Sequence, residues 1–170
     1  MQWGSNASDP EVLATKIRGL KKGLVVLEGC QSAGKSHLAD TLCELIPGIT
    51  VVHGDEFIAQ KDTGYMAGMN IDALRQAVCE GLRKSPIAIF DGILARDLLE
   101  EIGHWGDLFV YVQRNSTVGV PGDWEILIQE EDEPPEPFGA EGVLAAEVAE
   151  YHRRRRPCAN AGIIFIRVGD

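Results

Sequence analysis

Apolar positions along the chain follow two periods that take turns. Leu24, Val25, Val26 and Leu27 form an unbroken apolar run, and comparable runs recur over residues 49–53, 86–91, 108–112 and 163–168. Short continuous runs rich in Val and Ile are what strands buried on both faces of a parallel sheet present. Between them the spacing changes to threes and fours. Leu13, Ile17 and Leu20 share one face of a predicted helix over residues 9–22, with Asp9 as N-cap and Pro10 at the first position. A second helix, over residues 37–46, is stopped by Pro47 and Gly48. Asn70 caps a third over residues 71–83, with Leu74, Val78 and Leu82 along one side. Residues 93–102 read as a short helix and residues 140–156 as a longer one.

Strands alternating with helices predict an α/β fold with a parallel sheet, in a single domain over residues 1–170. There is no internal repeat. Residues 115–139 fit neither period. Within them, residues 124–129 read equally as strand or helix, while Glu130, Glu131, Asp132, Glu133, Pro134, Pro135, Glu136 and Pro137 are acidic and proline-rich. A solvated connection is the favoured expectation for this segment, and a mobile flap or reduced lid the sharper one.

Composition narrows the class. A chain of 170 residues, 45% hydrophobic and 25% charged, has the make-up of one soluble globular domain with a sizeable core. The net charge of −10 argues against a broad nucleic-acid surface, because phosphate backbones recruit Lys and Arg. Cys30, Cys43, Cys79 and Cys158 show neither metal-ligand nor redox spacing, which suits a reducing interior. No run approaches the roughly 20 apolar residues of a membrane span. The first ten residues lack the basic and apolar regions of a secretory leader. A cytoplasmic protein without nucleic-acid or membrane partners is therefore expected, its oligomeric state left open.

The strongest chemical signal is Gly29-Cys30-Gln31-Ser32-Ala33-Gly34-Lys35-Ser36, followed by His37. It satisfies every fixed position of the phosphate-binding loop G-x-x-x-x-G-K-[ST], and it lies between a predicted strand and a predicted helix. In such a loop successive backbone N–H groups point at phosphate oxygens, aided by the positive end of the following helix. Lys35 is expected to neutralise the β- and γ-phosphates and the Ser36 hydroxyl to ligate magnesium. The chain is thus expected to bind a nucleoside triphosphate.

Three further groups are candidates. Asp91 ends the strand over residues 86–91 and reads as a magnesium carboxylate, or as the cap of the next helix. Asp55 follows another strand end and is the better placed general base for an acceptor hydroxyl, with Glu56 its alternate. Ligands in open parallel sheets gather beyond the carboxyl ends of the strands, so Lys35, Asp55 and Asp91 are expected to converge. Phe57 reads as a stacking group or a core anchor. Arg153, Arg154, Arg155 and Arg156 complement a helix dipole. Arg153 and Arg156 are also candidates for stabilising a transferred phosphoryl group, with Arg114 a separate one. His53 reads as structural, and Cys30 as an oxidisable thiol if exposed.

Taken together, Gly29 to Ser36, the stretch His53-Gly54-Asp55-Glu56-Phe57 and the stretch Phe90-Asp91-Gly92-Ile93-Leu94-Ala95 resemble the uridine kinase and nicotinamide riboside kinase branch of the P-loop kinases. Arg155-Arg156-Pro157, followed by Ala161, Gly162, Ile163 and Ile164, resembles the approach to that branch's final strand. The resemblance implies a three-layer P-loop fold with a five-stranded parallel sheet ordered 2-3-1-4-5. It implies MgATP as donor, a nucleoside-like small molecule with a hydroxyl as acceptor, and Asp55 as general base. Such kinases carry an arginine-bearing lid after the fourth strand, whereas residues 115–139 contain no Arg or Lys. Arg114 or the Arg153–Arg156 cluster then supplies that charge, or the lid is reduced and turnover poor. The rival expectations are a nucleotide-binding regulator or weak ATPase without a working acceptor site, and a non-catalytic partner-binding module.

Overall fold

The computed structural model describes residues 5–60, 63–133 and 142–169. Its centre is a parallel sheet of six strands: β1 (Ser5–Ala7), β2 (Gly23–Glu28), β3 (Thr50–His53), β4 (Ile87–Asp91), β5 (Leu108–Asn115) and β6 (Ile163–Val168), in the order β1-β6-β5-β2-β4-β3. Every pairing is parallel. The five expected strands keep the expected order, but the expected count of five is corrected to six. The added strand, β1, pairs with β6 through Ser5, Asn6 and Ala7. Three small or polar residues carry no apolar pattern, so only the open edge of β6 makes them a strand.

The helices are α1 (Pro10–Arg18), α2 (Lys35–Leu45), α3 (Ile71–Lys84), α4 (Ala95–Glu101), α5 (Trp124–Leu127) and α6 (Val143–Arg155). The Asp9 side chain accepts from the Glu11 N–H at 2.9 Å and Pro10 occupies the first turn, so α1 begins where expected. It ends four residues early, at Gly19, and Lys21 then adopts φ 63° to turn the chain into β2. Asn70 caps α3 by accepting from the Ala73 N–H. Residues 124–129, ambiguous in sequence, are helical: α5 runs into a 3-10 turn, Ile128–Glu130. Of the segment expected as a loop or flap, residues 134–139 lie outside the described residues, as do the first two of the helix expected over 140–156.

Side-chain alternation on β2 explains the layering. Val25 and Leu27 face α1 and α2, in a core with Leu13, Ile17, Leu38, Leu42, Ile89 and Phe165. Leu24 and Val26 face the opposite layer, with Leu74, Val78, Phe90, Leu98, Leu99 and Tyr151. All five residues of β4 are buried, so no polar face survives to mark the strand by alternation. Helices on both faces force every chain reversal to the strand ends, and the carboxyl edge collects residues 29–36, 54–57, 91, 114–115 and 167.

Candidate functional site

The phosphate loop joins β2 to α2 through two positions that require glycine. Gly29 has φ 147°, and a side chain there would strike the Val112 carbonyl of β5, so β2 and the loop can run close beside that strand. Gly34 has φ 92° and is the N-cap residue of α2. Ser32 is also left-handed, at φ 61°. Among the described residues no side chain caps α2, and its first turn carries no acidic residue, so its leading amides are left without a side-chain acceptor, the state in which a helix start can take an anion. Lys35 is buried and donates to the Cys30 carbonyl at 2.7 Å. Burial pulls its ammonium below the ordinary lysine range, against the opposing fields of Asp55, Cys30, Asp91 and Asp123.

Beside Lys35 stands the carboxylate of Asp91, 2% exposed at the end of β4. The Ser36 hydroxyl hydrogen-bonds to it, and the His53 Nδ1 lies 2.8 Å from its Oδ2. Burial raises the Asp91 carboxyl above its usual value despite these partners. A hydroxyl and a carboxylate joined in this way are hard oxygen donors of the kind magnesium takes. Asp91 does not cap α4, whose N-cap residue is Leu94 in a left-handed conformation with no side-chain cap bond. His53 also approaches Asp40 on α2, Nε2 to Oδ1 at 3.3 Å. Its place is structural, a strut between two carboxylates.

Asp55 lies in a single 3-10 turn, Gly54–Phe57, directly after β3. Its Oδ1 accepts from the Tyr65 hydroxyl at 2.7 Å. Tyr65 is held in turn by α6, whose Glu147 accepts from the Tyr65 and Met66 N–H groups at 2.7 and 3.4 Å. Among the described residues, none tethers Glu56 in this way. Phe57 packs against the core as an anchor.

On the other side of the loop, a cavity of about 310 Å³ separates it from the segment after β5. Gln31, Ser32, Arg114, Asn115, Asp123 and Gly169 are among its walls. The Arg114 Nε donates to the Gly169 carbonyl at 3.3 Å, which keeps this arginine at the cavity rim. Cys30 is partly buried at the wall of this cavity: its Sγ lies 3.7 Å from the Tyr111 hydroxyl and 4.0 Å from His152 Nε2, and desolvation pushes the thiol up to about 12. The Tyr111 hydroxyl donates to Asp123 Oδ2 at 2.8 Å, and Asp123 Oδ1 is buried with no hydrogen-bond partner among the described residues.

The arginine cluster divides. Arg154 and Arg155 pair with Asp97 on α4, and Arg155 also with Glu100. Arg153 Nε donates to Gln129 at 2.8 Å and Arg156 Nη1 to Asp132 at 3.0 Å, so this pair holds the segment that follows α5. The same segment is pinned by Glu130, which accepts from the Cys158 and Ala159 N–H groups and lies 2.6 Å from His152 Nδ1. Behind the loop, Glu28 is fully buried, bound by Arg96 Nη2 at 2.6 Å and by the Tyr151 hydroxyl at 2.9 Å.

The structure therefore brings Lys35, Ser36, Asp55 and Asp91 to one edge. Sequence reasoning missed Tyr65 as the tether of Asp55, Glu147 as the anchor of Tyr65, and Glu28, whose position just before Gly29 was its one visible signal. It also missed Arg167, whose guanidinium lies against Gly34.

A phosphate loop after the first long strand, with a carboxylate at the tip of the neighbouring strand, defines a P-loop α/β fold. The fold is that of the uridine kinase-like P-loop kinases, as solved structures show. One, described as a possible uridine kinase from Bacillus stearothermophilus, superposes with a TM-score of 0.62 at 14% identity, covering 92% of this chain and 96% of its own. Another, described as a candidate fructose transport system kinase from Silicibacter sp. TM1040, gives 0.55 at 16% identity, covering 94% and 100%. No family model matches the chain, and no curated protein matches it in sequence. Among the described residues, no helix is long and apolar enough to cross a membrane.

Proposed function

We propose that this chain is a small-molecule kinase that transfers the γ-phosphoryl group of MgATP to a hydroxyl of a nucleoside or similar acceptor. The observation that carries the reading is the convergence of Asp55, Asp91 and Ser36 on the buried Lys35 at the mouth of an uncapped helix. The loop amides and Lys35 hold the phosphates. Ser36 and Asp91 are the residues that would hold magnesium, which when bound neutralises charge on the phosphate oxygens. Asp55, aimed by Tyr65, accepts the proton of the attacking hydroxyl. Lys35, with Arg153 or Arg156, stabilises charge on the phosphoryl oxygens as the acceptor–phosphorus bond forms and the bond to the ADP oxygen breaks. Support comes from the carboxylates' placement at strand ends and from two neighbours whose descriptions both name kinases.

A second reading, a nucleotide-binding regulator or weak ATPase, is favoured by one observation. The segment after β5 contributes no cation, and Arg153 and Arg156 are engaged by Gln129 and Asp132. ADP release from MgATP across a panel of nucleosides, sugars and other alcohols separates the two. Stimulation by one hydroxyl compound, lost in Asp55→Asn, establishes the kinase. Slow hydrolysis that no alcohol stimulates rejects it for the regulator.

A further inference from the structure

We infer that Arg167 is a phosphate-binding residue of the nucleotide site, taking over from β6 the charge that an arginine-free segment after β5 does not bring. The inference rests on the nucleotide reading of residues 29–36 and assigns that site a residue outside its motif.

Arg167 sits near the carboxyl end of β6, in register with Arg114 on β5. Its guanidinium reaches back across the sheet edge to the phosphate loop. There Nη1 donates to the Ala33 carbonyl at 3.5 Å, and a side chain at Gly34 would collide with Nη1 and Cζ. Gly34 is the residue that opens α2, so the cation rests against the helix end whose amides bear no side-chain cap. The glycine of the motif thus serves this chain twice, by its positive φ and by leaving room for a guanidinium.

Pairing separates Arg167 from five of the chain's ten arginines. Arg75, Arg96, Arg154, Arg155 and Arg156 each bind an Asp or Glu. Among the described residues no carboxylate pairs with Arg167, although the chain carries 26 acidic residues against 16 basic ones. One long bond to a carbonyl uses one of five donors. A half-buried guanidinium in that state suits a bidentate anionic partner, and phosphate is the anion this loop is shaped to receive. Arg114 lines the same rim and likewise makes one long carbonyl bond, to Gly169, but it is Arg167 whose guanidinium lies against Gly34 at the start of α2.

Calorimetric titration of ATP, ADP and inorganic tripolyphosphate into the wild type, Arg167→Gln, Arg167→Lys and Lys35→Ala tests this. Arg167→Gln is expected to weaken ATP and tripolyphosphate alike, by about 10- to 100-fold, with Arg167→Lys recovering part of the loss. Unchanged tripolyphosphate affinity in Arg167→Gln, with the far-ultraviolet spectrum intact, overturns the assignment. ATP weakened without tripolyphosphate also overturns it, by moving the contact to the base or ribose. Should Arg167→Gln fail to fold, the folded Arg167→Lys decides: affinity equal to wild type across the salt range overturns the bidentate role. A wild type that shows no Lys35-dependent ATP binding overturns the nucleotide reading itself.

Discussion

The imidazole of His53 donates from Nδ1 to Asp91 Oδ2 at 2.8 Å, so the last residue of β3 fixes the last residue of β4 across the strand pair that registers them. Burial alone would lower the imidazole's basicity, but the hydrogen bond and charge of Asp91, with Asp40 behind, raise it above the ordinary histidine value. A raised value in the folded state means that His53 stabilises the fold fully below about pH 6.5 and loses that contribution as pH climbs through the folded value. In magnesium-free buffer, the melting-temperature advantage of wild type over His53→Asn is therefore expected to shrink as pH rises above about 6.5. A difference that stays constant from pH 6 to 9 would show that the imidazole is not charged in the native state.

The same contact orients the carboxylate to which the proposed function gives magnesium. Asp91→Asn is expected to remove magnesium's enhancement of nucleotide binding, because an amide is a poor substitute for a carboxylate toward a hard cation. His53→Ala, which leaves Asp91 in place but unheld, is expected to weaken magnesium affinity by about 10- to 100-fold, the usual cost of losing an outer-sphere partner. Magnesium titrations of a fluorescent ATP analogue read both. Equal magnesium dependence in all three proteins would place the metal elsewhere.

Asp55 and Tyr65, joined at 2.7 Å, form the acceptor-side pair of the proposed reaction. Asp55→Asn is expected to lower phosphoryl transfer by about 10²- to 10⁴-fold, with ATP affinity changed less than about twofold. Tyr65→Phe removes one hydrogen bond and leaves the base, so a loss of about fivefold is expected. Steady-state kinetics with the acceptor found by the panel measure each. Transfer by Asp55→Asn at the wild-type rate would transfer the role to another group.

The thiols differ by environment rather than by sequence. Cys43 and Cys79 are exposed, while burial pushes Cys30 and Cys158 up to about 12. With thiolate the reactive form, Cys30 is expected to alkylate about a thousandfold more slowly than Cys43 at pH 8. Iodoacetamide labelling followed by peptide mass spectrometry gives the order, and early labelling of Cys30 would contradict its burial beside Tyr111.

Much of this was legible in the chain. The loop Gly29 to Ser36 announces itself because its chemistry is local: glycines, a lysine and a serine within eight residues. Asp55 and Asp91 were legible because each closes an apolar run, and parallel sheets gather strand ends. What escaped was non-local. In sequence Arg167 is one charge near the end of an apolar run, and only the crossover that lays β6 beside β5 carries it to Gly34, while Ala33 is 134 positions away. Strand β1 escaped because its stability comes from its neighbour. The lid arginines read at Arg153 and Arg156 were visible as a cluster, but nothing local told which would face α4 and which residues 129–132.

Glu28 shows the same limit with the largest energetic consequence. It precedes Gly29, yet its partners stand 68 and 123 residues away, Arg96 on α4 and Tyr151 on α6. Arg96 Nε and Nη2 both bind the carboxylate, and the guanidinium stacks 4.1 Å above the Phe109 ring. Desolvation raises the Glu28 carboxyl, which these bonds oppose, so the ion pair survives only while both members are present. Arg96→Met strands a buried carboxylate and is expected to cost about 3–5 kcal/mol of stability in urea unfolding. The double variant Glu28→Leu with Arg96→Met removes both charges and is expected to recover most of that loss, because the pair's attraction roughly offsets its desolvation. Such recovery, with ATP affinity still reduced, would mean that the pair's role is to hold the strand that leads into the phosphate loop. A double variant as unstable as the single one would instead make the pair a net stabiliser of the fold.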